Sequence, residues 1–388
     1  MNKRLILILS LVTVMIYAWS AGQGLTTDGQ KDPKFAVDQP IPGGDKSPPY
    51  LVEEFISPEL RTGMVHTASI CRLNDDRLAA AWYGGSKEGA SDTAIYLSIR
   101  NPGVPPSWTR PRVVVNQETA SKELQRFVKK VGNAIIFADR EDRLWLIYVT
   151  ITVGGWSGSS LNVKISTDDG ANWTPSQRLT LSPFLNLSEL VRNNPVPLED
   201  GGFVIPIYHE FLGKFPELLW ISVGANNQKV FFRKSRMDGG RTFIQPSVVA
   251  YGPGAATAFY RDCSDERNVG VALTKDAGAT WSRPRRIDLP NPDSALNALR
   301  LSDGNILLVF NDSKHYRENL RFAISGDNGL NWTRIARLED TKGQEFSYPY
   351  LIHGQGRRIH LVYTWRRKRI KHVEFNEAWI REQIRKAS

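Results

Sequence analysis

An eight-residue stretch that returns along the chain limits what the chain can fold into. Ser166-Thr167-Asp168-Asp169-Gly170-Ala171-Asn172-Trp173 comes back as Thr274-Lys275-Asp276-Ala277-Gly278-Ala279-Thr280-Trp281. It comes back again as Ser325-Gly326-Asp327-Asn328-Gly329-Leu330-Asn331-Trp332, with Asp, Gly and Trp at fixed offsets. Arg236-Met237-Asp238-Gly239-Gly240-Arg241-Thr242-Phe243 is a worn fourth copy, with Arg in place of Ser and Phe in place of Trp. Each copy follows a short alternating apolar run and precedes a polar one, the arrangement of a hairpin. The Asp carboxylate can accept turn N–H groups, the Gly takes a φ > 0 position, and the aromatic ring packs back beneath the turn. Four such turns in one chain mean a repeat fold made of strands.

The rest of the chain agrees. From Tyr50 onward, runs such as Arg77–Tyr83, Leu144–Thr150, Phe203–Tyr208, Ile306–Phe310 and Arg358–Thr364 are aliphatic and aromatic, bounded by Asp, Gly and Asn. Six strands open alike, on a polar residue followed by apolar ones: His66, Asn133, Asn194, Gln245, Asn297 and Tyr348. The last three intervals are each roughly 51 residues, the span of one four-stranded blade with its loops. Earlier intervals are longer, with the excess around Gln117–Lys130 and Glu210–Leu218. The expectation is an all-β fold, one six-bladed β-propeller over residues 50–380, with Tyr50–Ile56 adding the strand that closes the ring. A short helix is expected at Glu377–Lys386, and the last residues, 381–388, read as a basic tail. The six polar openings should converge on the axis and line a polar pocket, unless they only cap strand ends.

Composition sets the surroundings. A net charge of +10 and eleven Trp describe a basic chain with enough apolar bulk for a large core. The surplus suits an acidic partner, and part of it sits in Arg366-Arg367-Lys368-Arg369 and the C-terminal residues, which read as a solvated surface. Met1-Asn2-Lys3-Arg4 is basic, Leu5–Ala18 is apolar, and Ala18, Ser20 and Ala21 are small: residues 1–22 read as a secretory signal. The apolar run is shorter than the ~20 residues of a spanning helix, an uncleaved anchor being the alternative. Export, to the periplasm or the medium, follows. Residues 23–49, rich in Gly, Pro, Asp and Lys, read as a flexible leader. Cys71 and Cys263, far apart in the repeat order, are expected to be free thiols.

The recurring stretch resembles the Asp box, or BNR repeat, of the sialidase (neuraminidase) superfamily, and the resemblance runs from about Tyr50 to Ile380. It implies a clamp of three arginines on a sugar carboxylate, because a guanidinium fork pairs bidentately with that group. Arg261 and Arg317 match two of them; His66 stands in the region of the third. The general acid position corresponds to Glu88, in Gly84-Gly85-Ser86-Lys87-Glu88-Gly89-Ala90-Ser91-Asp92, with Asp92 as second choice. The resemblance implies a Tyr nucleophile activated by a Glu. Here the activating position holds Gln245, which cannot take a proton, and the Tyr position falls nearest Phe346, with Tyr348 two residues on. Tyr348 with Glu345 or Glu210 could rebuild the pair. His209, which follows an inner strand, is a further candidate for the pocket wall, beside Asn133, Asn194 and Asn297.

No Gly-x-Ser-x-Gly, His-Glu-x-x-His, phosphate loop or Cys-x-x-Cys pair occurs, so triad hydrolases, zincins and nucleotidases find no motif. No cofactor or metal is called for. The sequence points to an exported exo-glycosidase acting on terminal α-ketosides of an acidic sugar, sialic acid or a related 2-keto-3-deoxy sugar acid. Its expected partner is an acidic glycan or glycolipid and not nucleic acid, with membrane-surface association through the basic tail or an uncleaved N-terminal segment. A non-catalytic glycan-binding propeller and a structural scaffold are the rivals.

Overall fold

The computed structural model describes residues 8, 10–12, 33–37, 47–56, 63–182, 186–223, 230–238 and 240–387. The reading of 1–22 as a signal lies almost wholly outside these residues. Among the described residues no helix is long and apolar enough to cross a membrane.

Six antiparallel sheets follow one another as the blades of a propeller. Their innermost strands are Met64–Arg72, Lys130–Ala138, Leu190–Val191 with Val196–Pro197, Phe243–Ala250, Asn297–Arg300 and Phe346–His353, defining blades one to six. The ring closes as expected: Leu51–Phe55 pairs with Arg369–Asn376, Leu51 opposite Phe375, and becomes the outer strand of blade six. Each blade is sandwiched between two others, so its middle strands are buried on both faces. That is why Leu144–Ile151 is apolar almost throughout and buried at all eight positions, rather than alternating as a half-exposed strand would.

Strand direction alternates within a blade, which gives the ring two distinct ends. Loops between second and third strands, and the crossovers to the next blade, lie at one end, here the site face. Hairpins between first and second, and third and fourth, strands lie at the other. Three of the repeated stretches join third to fourth strands in blades two, four and five, on the back. In each the leading hydroxyl accepts from the Gly amide and bonds the Asp: Ser166 with Gly170 (2.8 Å), Thr274 with Gly278 (2.9 Å), Ser325 with Gly329 (2.9 Å). The Asp accepts the amide four residues on, at 2.8–2.9 Å. These glycines have φ near +80 to +89°, and each turn leans on the preceding blade: a side chain at Gly329 would strike Phe259.

The fourth copy is no such turn. Arg236 ends the outer strand of blade three and Phe243 begins the inner strand of blade four, so 236–243 is a crossover on the site face. Arginine offers no hydroxyl for the Gly amide, which removes the hydrogen bond that closes the other three.

One further reading changes and one holds. Residues 33–37, placed in a flexible leader, are docked on the back: Phe35 is fully buried, its amide bonds Pro253 O at 2.7 Å, and it bridges Leu198. The short helix expected at Glu377–Lys386 is present as Glu377–Ala387 and takes in the described part of the basic tail. Asn376 Oδ1 caps it through Trp379 N at 2.9 Å, and Trp379 packs against Phe322 and Phe375. A short helix the sequence did not announce, Gln117–Glu123, fills the crossover from blade one to blade two, capped by Asn116 on Thr119 N. Cys71 and Cys263 are free, the first buried and the second partly so.

Candidate active site

Four inner strands open on a bulge with a non-glycine residue at positive φ: Thr67 (49°), Asn133 (34°), Gln245 (52°) and Tyr348 (57°). Such a conformation is costly for a side-chain-bearing residue, and its recurrence at the mouth of one axis marks a site held in shape by its surroundings. The blade-one member is Thr67, one residue beyond His66, so the sequence alignment of openings was off by one there.

Tyr348 stands at the centre. Its phenol oxygen accepts from Arg261 Nη1 at 3.2 Å, its ring lies under the Arg317 guanidinium at 5.5 Å, and the His66 ring meets it edge-on at 4.5 Å. Arg261 also donates to Gln245 Oε1 (3.2 Å) and, through Nε, to Asp293 Oδ1 (2.6 Å). Arg317 donates to Asp293 O at 2.6 Å and lies 3.5 Å from Glu345 Oε1. The two arginines picked from sequence therefore meet, sharing Tyr348 and Asp293.

A third arginine joins them that the sequence reading missed. Arg367, on the loop between second and third strands of blade six, donates to Glu345 Oε2 and to Glu88 Oε2, both at 2.6 Å. Its carbonyl accepts from Val65 N at 3.0 Å, so its loop stands over the start of the blade-one strand, beside His66. It was hidden in the basic run Arg366–Arg369; the signal was its place in a second-to-third loop, like Glu88 and Arg317.

Burial and charge fix the protonation of several groups. His66, 1% exposed, is held well below the usual histidine range by burial and by Arg367, Arg317, Arg192 and Arg261. It is a neutral ring bonded through Nδ1 to Thr364 Oγ1 (3.1 Å), its Nε2 buried without a partner. Burial would raise Glu345, but bonds from Arg367 and Ser347 keep it low, an ionised carboxylate. Glu210 goes the other way, raised chiefly by burial. Tyr208 Oη accepts from both Asn133 (3.2 Å) and Gln245 (3.0 Å), and burial pushes its phenol far up.

Below the site a guanidinium crosses the axis. Arg192 of blade three is fully buried and donates to Ala68 O of blade one and to Tyr348 O and Pro349 O of blade six. Burial lowers its proton affinity to about 10, still a cation at neutral pH. Three blades are tied through it, and it holds the strained Tyr348 carbonyl in place.

Other candidates serve the frame. Asp92 accepts from Ser86 N and Oγ at 3.0–3.1 Å and braces its own loop. Asn194 and Asn297 bond each other (2.7 Å) and the Leu351 backbone, stapling blades three, five and six instead of facing a ligand. His209 Nε2 accepts from Leu212 N at 3.0 Å and its ring stacks on Phe215, a turn brace. Phe346 is fully buried in the blade-six core and cannot take the place of a nucleophile.

Residues 76–361 match a family model described as BNR repeat-like domain. In three dimensions the chain is similar to the Hadza microbial sialidase Hz136 (17% identity, TM-score 0.64), over 80% of this chain and 65% of that one. It is also similar to a protein of unknown function from Dyadobacter fermentans (13%, TM-score 0.66, 87% and 100% covered). A leech intramolecular trans-sialidase complexed with 2,7-anhydro-Neu5Ac is a third (11%, TM-score 0.62, 83% and 69%). At such identities the likeness is one of fold. No curated protein matches the sequence.

Proposed function

The chain belongs to the BNR repeat-like family, and from that premise we propose that its site face binds the terminal acidic sugar of an exported glycan or glycolipid and cleaves its α-ketosidic bond. One observation carries the reading: from three different blades, Arg261 and Arg317 share Tyr348, and Arg317 and Arg367 share Glu345. Three guanidiniums around one small space suit a planar carboxylate more than a neutral sugar. The protein itself, exported through residues 1–22, would meet such sugars in the periplasm or outside the cell.

In this reading Arg261 and Arg317 hold the sugar carboxylate and Arg367 supplies the arm that His66 does not. Each arginine already has a protein carboxylate, so a ligand must compete. The most exposed of these ion pairs is Arg367–Glu88, whose side chains are about a third exposed and which solvent screens. A sugar carboxylate displaces Glu88 from Arg367, and the freed Glu88 carboxylate, on its glycine-flanked loop, takes up a proton from solvent and is placed to pass it to the leaving oxygen. Tyr348 faces the anomeric carbon as nucleophile: its oxygen bonds that carbon as the bond to the leaving oxygen breaks, and its phenol proton passes to Glu345 or Glu210, the carboxylates that could rebuild the pair.

Binding without cleavage is the second reading, and a specific feature favours it. The Tyr348 phenol has Arg261 as its hydrogen-bond partner, with Gln245 alongside, where a base would be needed. Turnover of a natural ketoside and of an aryl ketoside separates the readings. Hydrolysis of both by the wild-type chain, with Glu88→Gln losing about 10²–10⁴-fold on the natural substrate and far less on the aryl one, supports the enzyme. Saturable binding with no turnover of either replaces it with the binding module.

A further inference from the structure

Exposed apolar side chains occur on the outer strands (Val52, Val113) and in back-face turns (Val104, Leu330), but the aromatic ones are not scattered. Among the described residues the exposed aromatics are Phe127, Phe211 and Tyr316, and all three stand on the site face. Leu212 and Val153 stand with them, 68% and 76% exposed. Phe127 is on the crossover from blade one to blade two, and the others are on second-to-third loops of blades two, three and five. Phe127 and Val153 belong to one prong, since Thr152 Oγ1 bonds Phe127 O at 3.2 Å. Phe211 and Leu212 make a second, held by the His209 brace, and Tyr316 a third. Single exposed apolar residues need no explanation; three exposed aromatics at one end, two of them beside a further exposed aliphatic side chain and all spread around its mouth, do.

Cations accompany each prong. Lys129 is two residues from Phe127, Lys214 two from Leu212, Lys314 two from Tyr316, and the blade-six loop adds Arg366 and exposed Lys368. A sugar platform would gather ring faces beside the arginines, whereas two of these five side chains have no ring and the prongs stand apart. A protein partner would call for a contiguous patch, and the polar mouth interrupts this one. Separate apolar tips with cations at their bases fit the interfacial layer of a bilayer carrying negative headgroups, where apolar burial and charge attraction add. We propose that the site face docks on an anionic lipid bilayer, its three prongs entering the headgroup layer and its mouth turned to the sugars attached there. This membrane contact is distinct from the C-terminal helix and from residues 1–22, and it stands whether or not the site hydrolyses its ligand.

The test reads the two faces separately in the full-length chain. An environment-sensitive nitrobenzoxadiazole label goes on Val153→Cys, or on Val104→Cys, a fully exposed position in a back-face hairpin. The chain without either substitution, treated alike, gives the background from Cys71 and Cys263. With phosphatidylcholine vesicles containing phosphatidylglycerol, the Val153 label should shift to the blue and be quenched by lipid-borne spin labels, and the Val104 label should not. Phosphatidylcholine alone, or high salt, should weaken the response. Phe127→Ser/Phe211→Ser/Leu212→Ser, which alters only exposed side chains, should lower vesicle affinity roughly tenfold or more. Equal responses on both faces would mean that another segment anchors the chain, and would overturn the proposal. So would a triple variant that binds vesicles as the parent does, or a Val153 label that answers to soluble 3'-sialyllactose and not to vesicles.

Discussion

The two ends of this propeller are built on opposite principles. On the back, each repeated turn satisfies itself: hydroxyl, carboxylate and Gly amide all lie within eight residues, as in Ser325–Trp332. On the site face the partners are remote. Glu88 meets Arg367 across 279 residues of chain and Arg192 meets Tyr348 across 156. The four bulged strand openings at positive φ and the orphaned His66 Nε2 lie there too. Local closure makes a frame that tolerates change; remote closure makes a site whose shape depends on the whole ring.

If that contrast is right, cutting the remote ties should cost most. Arg192→Met leaves three buried carbonyls without a donor, and a loss of about 2–4 kcal/mol in unfolding free energy is expected, read by denaturant titration. An unchanged midpoint would show that the axis is not held by this side chain. Arg367→Gln comes next, with about 10- to 100-fold weaker binding of a sugar acid in calorimetry and little effect on stability, because its ion pairs are partly exposed. A fall in stability without a fall in affinity would make Arg367 a structural tie.

The frame should answer more quietly. Ser325→Ala removes a buried hydroxyl that closes one turn, and about 1–2 kcal/mol is expected. It should add to Arg192→Met without coupling, the two sites sharing no partner. A loss as large as that of Arg192→Met would erase the distinction between the two ends.

This contrast also explains what was legible in the sequence. The box turns, the ring closure by Tyr50–Ile56 and the blade count follow from patterns a few residues long, and the structure has them. Arg236–Phe243 misled because its spacing was kept while the hydroxyl that makes the turn was lost. At the site, Arg261, Arg317, Tyr348 and Glu88 come from the family resemblance and not from composition or spacing. Arg367 could not be picked, because a charged run looks the same whether it is solvated or folded over an axis. Asn194 and Asn297 opened their strands as the others did, yet strand position does not say whether an amide faces a ligand or a neighbouring backbone.

The smallest effect expected is confined to one prong. Burial, then Lys234 and Arg236, lowers the His209 proton affinity to about 4. A histidine depressed in the fold stabilises fully above its ordinary value near 6.5 and loses that contribution as pH falls through about 4. Protonation removes the acceptor for Leu212 N, so exchange protection of that amide should fall away as pH is lowered through about 4 while the Asn331 amide keeps its own. Simultaneous loss at both would mean that the whole ring opens and that the prong has no local latch.

The claim that three arginines form one carboxylate site is tested most directly by calorimetry with N-acetylneuraminic acid and its methyl ester. The account predicts that the wild-type chain binds the acid and not the ester. It also predicts that Glu88→Gln, by removing the competing carboxylate from Arg367, tightens binding of the acid alone. Equal affinity for acid and ester, or no binding of the acid by either chain, would contradict it.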